Sequence, residues 1–153
     1  MGNLHDGHLS LVRLAKLNAK KTITTIFVNP LQFGKNEDFE KYPRSEEMDI
    51  NKLSKEKCDI LFIPVNRNEV FPKFEEVKKI ESGKLGNELC GKIRPGHFDG
   101  VLTVVNKIFD MIKPDIAIFG AKDYQQQILI SEMSKICLLY TSDAADETCR
   151  GDL

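Results

Sequence analysis

Three short runs of apolar and β-branched residues are spaced along the chain. They read TITTIFV at 22–28, CDILFI at 58–63 and DIAIF at 115–119. Near-continuous runs of this length are typical of strands that are buried on both faces of a parallel sheet. The pattern therefore predicts three parallel strands at these positions.

Patterns with helical spacing separate these runs. In the clearest one, apolar residues recur at helical intervals from Val101 to Ile112, directly before the helix-breaking Pro114. The stretch 66–85 is charged and irregular, which predicts a strand or loop excursion. Three weaker patterns predict helices at 9–19, at 45–57 and from about Asp123. Strands that alternate with helices indicate an α/β protein with a Rossmann-like, doubly wound parallel sheet.

The chain opens with MGNLHDGH, a glycine-containing turn that runs into a predicted helix. In α/β folds such a turn normally follows a strand. We therefore expect the sheet to be incomplete, with its first strand before Met1, and Met1 to be an internal methionine.

The other end loses its helical pattern after Lys135. The run CLLYTSDAADE at 137–147 matches the in-frame translation of a transposase adapter used in DNA sequencing. We therefore expect residues 1–135 to be a partial N-terminal nucleotide-binding domain and residues 136–153 to be a non-native tail, with a genuine divergent tail as the alternative.

Composition limits the functional classes. The formal net charge is −1, and hydrophobic residues make up 41% of the chain, which is typical of a soluble globular protein. Neither a basic nucleic-acid footprint nor an apolar run long enough to span a membrane is present in the sequence. The four cysteines form no CxxC pair, which favours reduced thiols in a cytosol; they are Cys58, Cys90, Cys137 and Cys149.

The first candidate site is the HxGH motif formed by His5, Asp6, Gly7 and His8. A helix N-terminus attracts phosphate, and glycine lets the backbone approach it closely. The imidazoles can donate hydrogen bonds where charge builds up on a reacting phosphoryl group. The alternative is a pair of capping or surface histidines.

Two further polar turns follow predicted strands. Asn29 and Gln32 come after the first strand, where neutral amides can bind a hydroxyl and a carboxylate, although Asn-Pro is also a common turn. Gly120, Lys122 and Asp123 follow the third strand and suit a sharp turn, a phosphate-binding cation and a helix cap. The strand ends would gather these turns on one edge of the sheet, as a nucleotide site in this fold requires.

Two further sets of residues are weaker candidates, and each has an alternative interpretation. Arg94 and His97 are candidate anion contacts in the loop before the long helix, and solvated loop residues are an equal alternative. Four acidic residues could hold a metal ion but more readily form a charged helix face; they are Asp38, Glu46, Glu47 and Asp49.

At these motifs the chain resembles the pantoate–β-alanine ligases of the HxGH nucleotidyltransferase superfamily. The matching segments are MGNLHDGHLSLV, IFVNPLQFG, EDFEKYPR, RPGHFDGV and KPDIAIFGAKDYQQ. The resemblance implies ATP-dependent adenylation of pantoate with Mg²⁺, then condensation with β-alanine to pantothenate. It also implies a cytoplasmic homodimer that acts on small molecules, without nucleic acid or membrane partners. The C-terminal domain of that family would follow Lys135, so we expect the chain alone to be inactive.

The resemblance also assigns residues. His8 would be the proton donor, with His5 and Lys122 as further catalytic groups. Pantoate and β-alanine would be bound at Gln32, Gln126 and Asn29. ATP would be bound by two segments, namely Met1, Gly2, Asn3, Leu4, His5, Asp6, Gly7 and His8, and Gly120, Ala121, Lys122 and Asp123. Ala121 stands where the family usually has glutamate, which leaves only a backbone contact there.

Two other functions remain alternatives. One is another HxGH nucleotidyltransferase, which would need an acceptor pocket different from one built around Gln32 and Gln126. The other is a non-catalytic nucleotide-binding module, which a nucleotide titration with and without pantoate would distinguish.

Overall fold

The computed structural model describes residues 1–34 and 39–136. Two strands and seven α-helices are assigned within these residues: α1 Asp6–Asn18, β1 Ile23–Thr25, α2 Glu46–Lys55, β2 Ile60–Phe62, α3 Arg67–Val70, α4 Gly83–Gly86, α5 Cys90–Ile93, α6 His97–Ile112 and α7 Tyr124–Ile136. Three 3-10 turns lie at Pro30–Gln32, Phe74–Glu76 and Ala121–Asp123. Of the proposed tail, residues 137–153, which include Cys137 and Cys149, lie outside the described residues.

The two strands are parallel neighbours, as predicted. Ile23 pairs with Ile60 in the register, and Thr25 pairs with Phe62. The ladder continues one residue further, where the Ile26 N–H donates to the Phe62 carbonyl at 2.9 Å. Helix α2 provides the crossover between the strands, as a parallel pair requires.

Side chains alternate between the two faces of this sheet and show that helices cover both. Ile26 packs with α1 and α2 in a cluster that includes Leu9 and Leu53. The next residue, Phe27, packs on the opposite face against the cluster that contains Val104 of α6. The layered α/β class is therefore confirmed.

The prediction of a third strand at 115–119 is wrong for the residues that the structure describes, because no ladder is assigned there. A strand exists only by pairing, and residues 115–119 pair with neither β1 nor β2. Ala117 and Phe119 instead pack against the cluster between α6 and α7. The run is only partly buried, so the predicted burial on both faces is wrong as well, and apolar character alone does not supply hydrogen-bond partners.

The long helix α6 confirms the predicted apolar stripe and begins four residues earlier, at His97. Gly96 starts it with φ 77°, and Lys113 ends it in the left-handed conformation before Pro114. The residues of α6 and α7 that pack together form the largest core cluster: Phe98, Val101, Leu102, Phe109, Leu129, Ile130 and Met133. Helix α6 packs against the turn Pro30–Gln32, and α7 packs against the turn Ala121–Asp123 that precedes it.

The stretch 66–85 is a loop excursion that carries short helical turns, α3 and the 3-10 turn Phe74–Glu76. Cys58 and Cys90 are free thiols. Within residues 1–34 and 39–136, no helix combines the length and the apolar character needed to cross a bilayer.

Candidate active site

The opening segment makes a sharp turn into α1. Gly2 has φ 91° and Asn3 has φ 54°, so two successive residues are left-handed. Leu4 is then buried in the core, and His5 becomes the N-cap of α1. The turn therefore sets where α1 begins and, with it, where His5 and His8 lie.

Hydrogen bonds to the backbone fix which nitrogen of each imidazole carries a proton. The Gly7 N–H donates to Nδ1 of His5 at 3.1 Å, and the His5 N–H donates to Nδ1 of His8 at 3.3 Å. A backbone N–H only donates, so both Nδ1 atoms are acceptors and both neutral rings carry their proton on Nε2. The two rings, 4.0 Å apart between centroids, thus hold paired Nε2–H donors. Such a pair suits an anion such as phosphate.

The surroundings of His8 keep it neutral. Burial is the largest effect that lowers the pKa of His8, followed by electrostatic interactions with His5, the N-terminal ammonium and Lys122; the charge of Asp49 opposes them. The action of Lys122 on His8 links the opening turn to the segment at 120–123. A neutral His8 keeps Nδ1 available to accept from the backbone.

This lowered pKa predicts a pH dependence of stability. The folded protein binds a proton at His8 less readily than the unfolded chain does, so stability is lost as the pH falls below about 6.5, the ordinary pKa of histidine. We expect urea unfolding to show a larger loss between about pH 7.5 and about pH 5.5 for the wild type than for His8→Gln. Equal losses in the two proteins would contradict the assignment.

The second segment is built around a buried amide. Asn29, 1% exposed, donates to the Gly100 carbonyl at 3.0 Å and to Oε1 of Gln32 at 3.2 Å. Its own Oδ1 accepts the Leu31 N–H at 3.2 Å. Asn29 thereby fixes the turn Pro30–Gln32 and the side chain of Gln32 to the N-terminal part of α6.

Gln32 connects its own turn to the opening turn and to the start of α6. Its Nε2 contacts the Met1 sulfur, which joins it to the opening turn. The backbone carbonyl oxygen of Gln32 lies 2.9 Å from Nδ1 of His97. Since a carbonyl only accepts, that nitrogen is the donor. His97 thus binds the turn Pro30–Gln32 and is not a solvated loop residue. Arg94 accepts the His97 N–H on its carbonyl at 3.1 Å and so holds the start of α6.

The third segment lies beside α1. A Cβ placed on Gly120 would come within 3.7 Å of Leu11 on α1, and the Asp123 N–H donates to the Gly120 carbonyl within the 3-10 turn. Ala121 and Lys122 are exposed, with Lys122 close enough to act electrostatically on His8. Gln126 is half-buried on the first turn of α7, and its side chain makes no hydrogen bond to the residues that the structure describes.

The expectation for Asp49 requires a correction. Glu46 and Glu47 are exposed on the first turn of α2, as a charged helix face would be, and Asp38 lies outside the described residues. Asp49 is fully buried and binds the backbone of the opening turn, so it belongs to no charged face. Its position four residues before the buried Leu53, on the same side of a helix, was the available signal. Within the described ranges, no group of three or more His, Cys, Asp or Glu side chains is arranged to hold a metal.

Known proteins resemble this chain in sequence. The sequence profile of the pantoate-beta-alanine ligase family matches residues 1–151. Pantothenate synthetase of Neisseria meningitidis serogroup B is 54% identical over 130 residues, which cover 85% of this chain and 46% of that protein. The enzyme of Laribacter hongkongensis is 50% identical over 133 residues, 87% of this chain and 48% of the relative.

Solved structures give the same result. Pantothenate synthetase from Thermus thermophilus superposes with a TM-score of 0.85 at 41% identity, covering 91% of this chain and 50% of that one. Pantoate-beta-alanine ligase from Francisella tularensis, complexed with beta-gamma ATP and β-alanine, superposes with a TM-score of 0.88 at 40% identity, covering 93% and 54%. The chain spans about half the length of the relatives that it matches, and the two-stranded sheet is consistent with that partial coverage. By sequence and by fold, the chain belongs to the pantoate–β-alanine ligase family.

Proposed function

We propose that this chain is the nucleotide-binding part of an ATP-dependent ligase that condenses pantoate with β-alanine. The observation that carries the proposal is the pair of Nε2–H donors on His5 and His8, which backbone hydrogen bonds hold in place. Lys122 lies close enough to act on His8, and Gln32 contacts Met1 of the same opening turn. Family membership and the Francisella complex support it.

The first reaction step is adenylation. A carboxylate oxygen of pantoate forms a bond to the α-phosphorus of ATP, and the bond to the bridging oxygen of pyrophosphate breaks. His5 and His8 donate to the phosphate oxygens on which charge develops, and Lys122 neutralises the leaving pyrophosphate. Here MgATP enters as the substrate. ATP contacts are assigned to residues 1–8 and 120–123.

The second step is amide formation. The neutral amine of β-alanine attacks the acyl carbon of pantoyl adenylate, AMP leaves with the bonding pair, and the amine loses a proton. We assign Gln32 and Gln126 to pantoate, with β-alanine adjacent to Gln32. Asn29 contributes by holding Gln32, because its amide already donates to two protein acceptors.

The rest of the proposal follows the family. The active form is a cytoplasmic homodimer whose partners are small molecules rather than nucleic acid or membrane. Ala121 contributes only through its backbone.

The test uses the protein extended to the full length of its relatives. We expect pyrophosphate release that requires both ATP and pantoate, and pantothenate formation once β-alanine is added. Pyrophosphate release with a different acceptor would favour another nucleotidyltransferase. ATP binding without pyrophosphate release under any acceptor would favour the non-catalytic module.

A further inference from the structure

The carboxylate of Asp49 on α2 lies fully buried beneath the opening turn. Its Oδ2 accepts the Asn3 N–H at 2.7 Å, and its Oδ1 accepts the Leu4 N–H at 2.8 Å. Ser45, one turn earlier on the helix, adds a hydroxyl donor to Oδ2 at 3.1 Å. Each oxygen of one buried carboxylate therefore binds a different backbone amide of the segment that leads into His5.

The same helix makes a further contact with this segment. Lys52, one turn after Asp49, donates from Nζ to the Leu4 carbonyl. A negative and a positive group on one face of α2 thus bind the amides and the carbonyl of two successive residues. Charge-assisted hydrogen bonds of this kind are stronger and more directional than neutral ones.

The segment needs such support because its backbone is unusual. Asn3 is left-handed without being glycine, and it follows Gly2, which is left-handed as well. A Cβ on Gly2 would lie 3.2 Å from Oδ2 of Asp49, so the carboxylate also sets the space in which the turn fits. The direction of the chain into the N-cap His5, and so the position of both imidazoles, follows from this turn.

We propose that Asp49 is a positioning residue for the nucleotide site: together with Lys52 it clamps residues 3 and 4 and so fixes where His5 and His8 present their Nε2–H donors. The expected effect of Asp49 on the reaction rate rests on the proposed function. The expected effect of Asp49 on the two imidazoles can be measured without any enzymatic activity.

The test compares variants of the full-length protein. Asp49→Asn keeps the shape but turns one acceptor into an amide donor that faces a backbone N–H. We expect pyrophosphate release to fall about a hundredfold, as a misplacement of about 1 Å does, with the KM for pantoate changed less than threefold. Asp59→Asn is the matched control, because Asp59 also accepts a backbone N–H, from Thr22 at 3.0 Å, next to a lysine but away from this turn.

Nitrogen NMR of the imidazoles gives the second measurement, with His5 and His8 assigned from single glutamine variants. We expect Asp49→Asn to lose the fixed Nε2–H form of both rings, and Asp59→Asn to keep it. Lys52→Met retains the aliphatic stem and should lower the rate about tenfold, which tests the clamp should Asp49→Asn fail to fold.

Three results would overturn the proposal. They are wild-type rate and ring protonation in folded Asp49→Asn, equal losses in the Asp59 control, or an unaffected Lys52→Met protein. Should the wild type release no pyrophosphate, the proposed function fails while the NMR measurement still decides whether Asp49 sets the imidazoles.

Discussion

Replacing His8 with alanine is expected to lower the rate of pyrophosphate release about a hundredfold or more. That is the scale of losing one preorganised donor to the charge that develops in a transition state. His8 is held for this role because its Nδ1 accepts the His5 N–H, which leaves the proton on Nε2. The measurement is pyrophosphate release at saturating ATP and pantoate in the full-length protein.

Two amide variants separate the donor role of His8 from its role in the backbone cap. Asparagine can place an oxygen where Nδ1 lies but lacks a donor at Nε2, so His8→Asn should be as slow as His8→Ala. Glutamine can place an amide N–H near Nε2 but lacks the Nδ1 acceptor, so His8→Gln should recover part of the rate. Thermal unfolding of each variant checks that the fold is retained.

The reverse ranking would assign the effect to capping. If His8→Asn were fast and His8→Gln slow, the hydrogen bond from the His5 N–H would matter and the Nε2 donor would not. An unchanged rate in folded His8→Ala would remove His8 from the mechanism altogether.

Local patterns were sufficient to predict much of the fold. The apolar stripe that ends at Ile112 specified α6 because helical spacing is a property of neighbouring residues. Likewise, the motif that starts at His5 specified a helix N-terminus. The run 115–119 was misread because a strand needs a partner that no local pattern contains.

The candidate site was predictable where its residues carry obvious chemistry and not where they act through the fold. Asp49 looked like one of several acidic residues on a helix, since its contacts with Asn3 and Leu4 span more than forty positions. Gly100 lies in the matching segment RPGHFDGV, but the sequence gives no reason for a glycine there, because only the packed structure shows what would occupy the space beside it. Long-range contacts of this kind decide the geometry of the site.

Gly100 on α6 is the basis of the second prediction with a large expected effect. Its carbonyl accepts from Asn29, and the helix lies directly on the turn Pro30–Gln32. A Cβ placed there would lie 2.2 Å from the Leu31 carbonyl oxygen and 2.6 Å from the Gln32 nitrogen. Both contacts are with backbone, so no side chain can rotate away to relieve them.

Gly100→Ala has two opposing effects on the free energy of unfolding. Alanine in place of glycine inside a helix stabilises by about 1 kcal/mol. Overpacking against backbone costs about 3 kcal/mol, the upper end of its usual range. The overlap is the larger effect, so we expect net destabilisation of about 2 kcal/mol, measured by urea unfolding.

The same substitution should also damage the site. Relief of the overlap moves the turn away from α6 by about 1 Å, and Gln32 moves with it, which is enough to cost roughly a hundredfold in kcat/KM for pantoate. Asp110→Ala, at an exposed position on the same helix, is the control and should change stability by less than about 0.5 kcal/mol and leave kcat/KM unchanged. Stabilisation of the protein by Gly100→Ala would mean that helix propensity outweighs the contact. The close approach of α6 to the turn would then not determine where Gln32 lies.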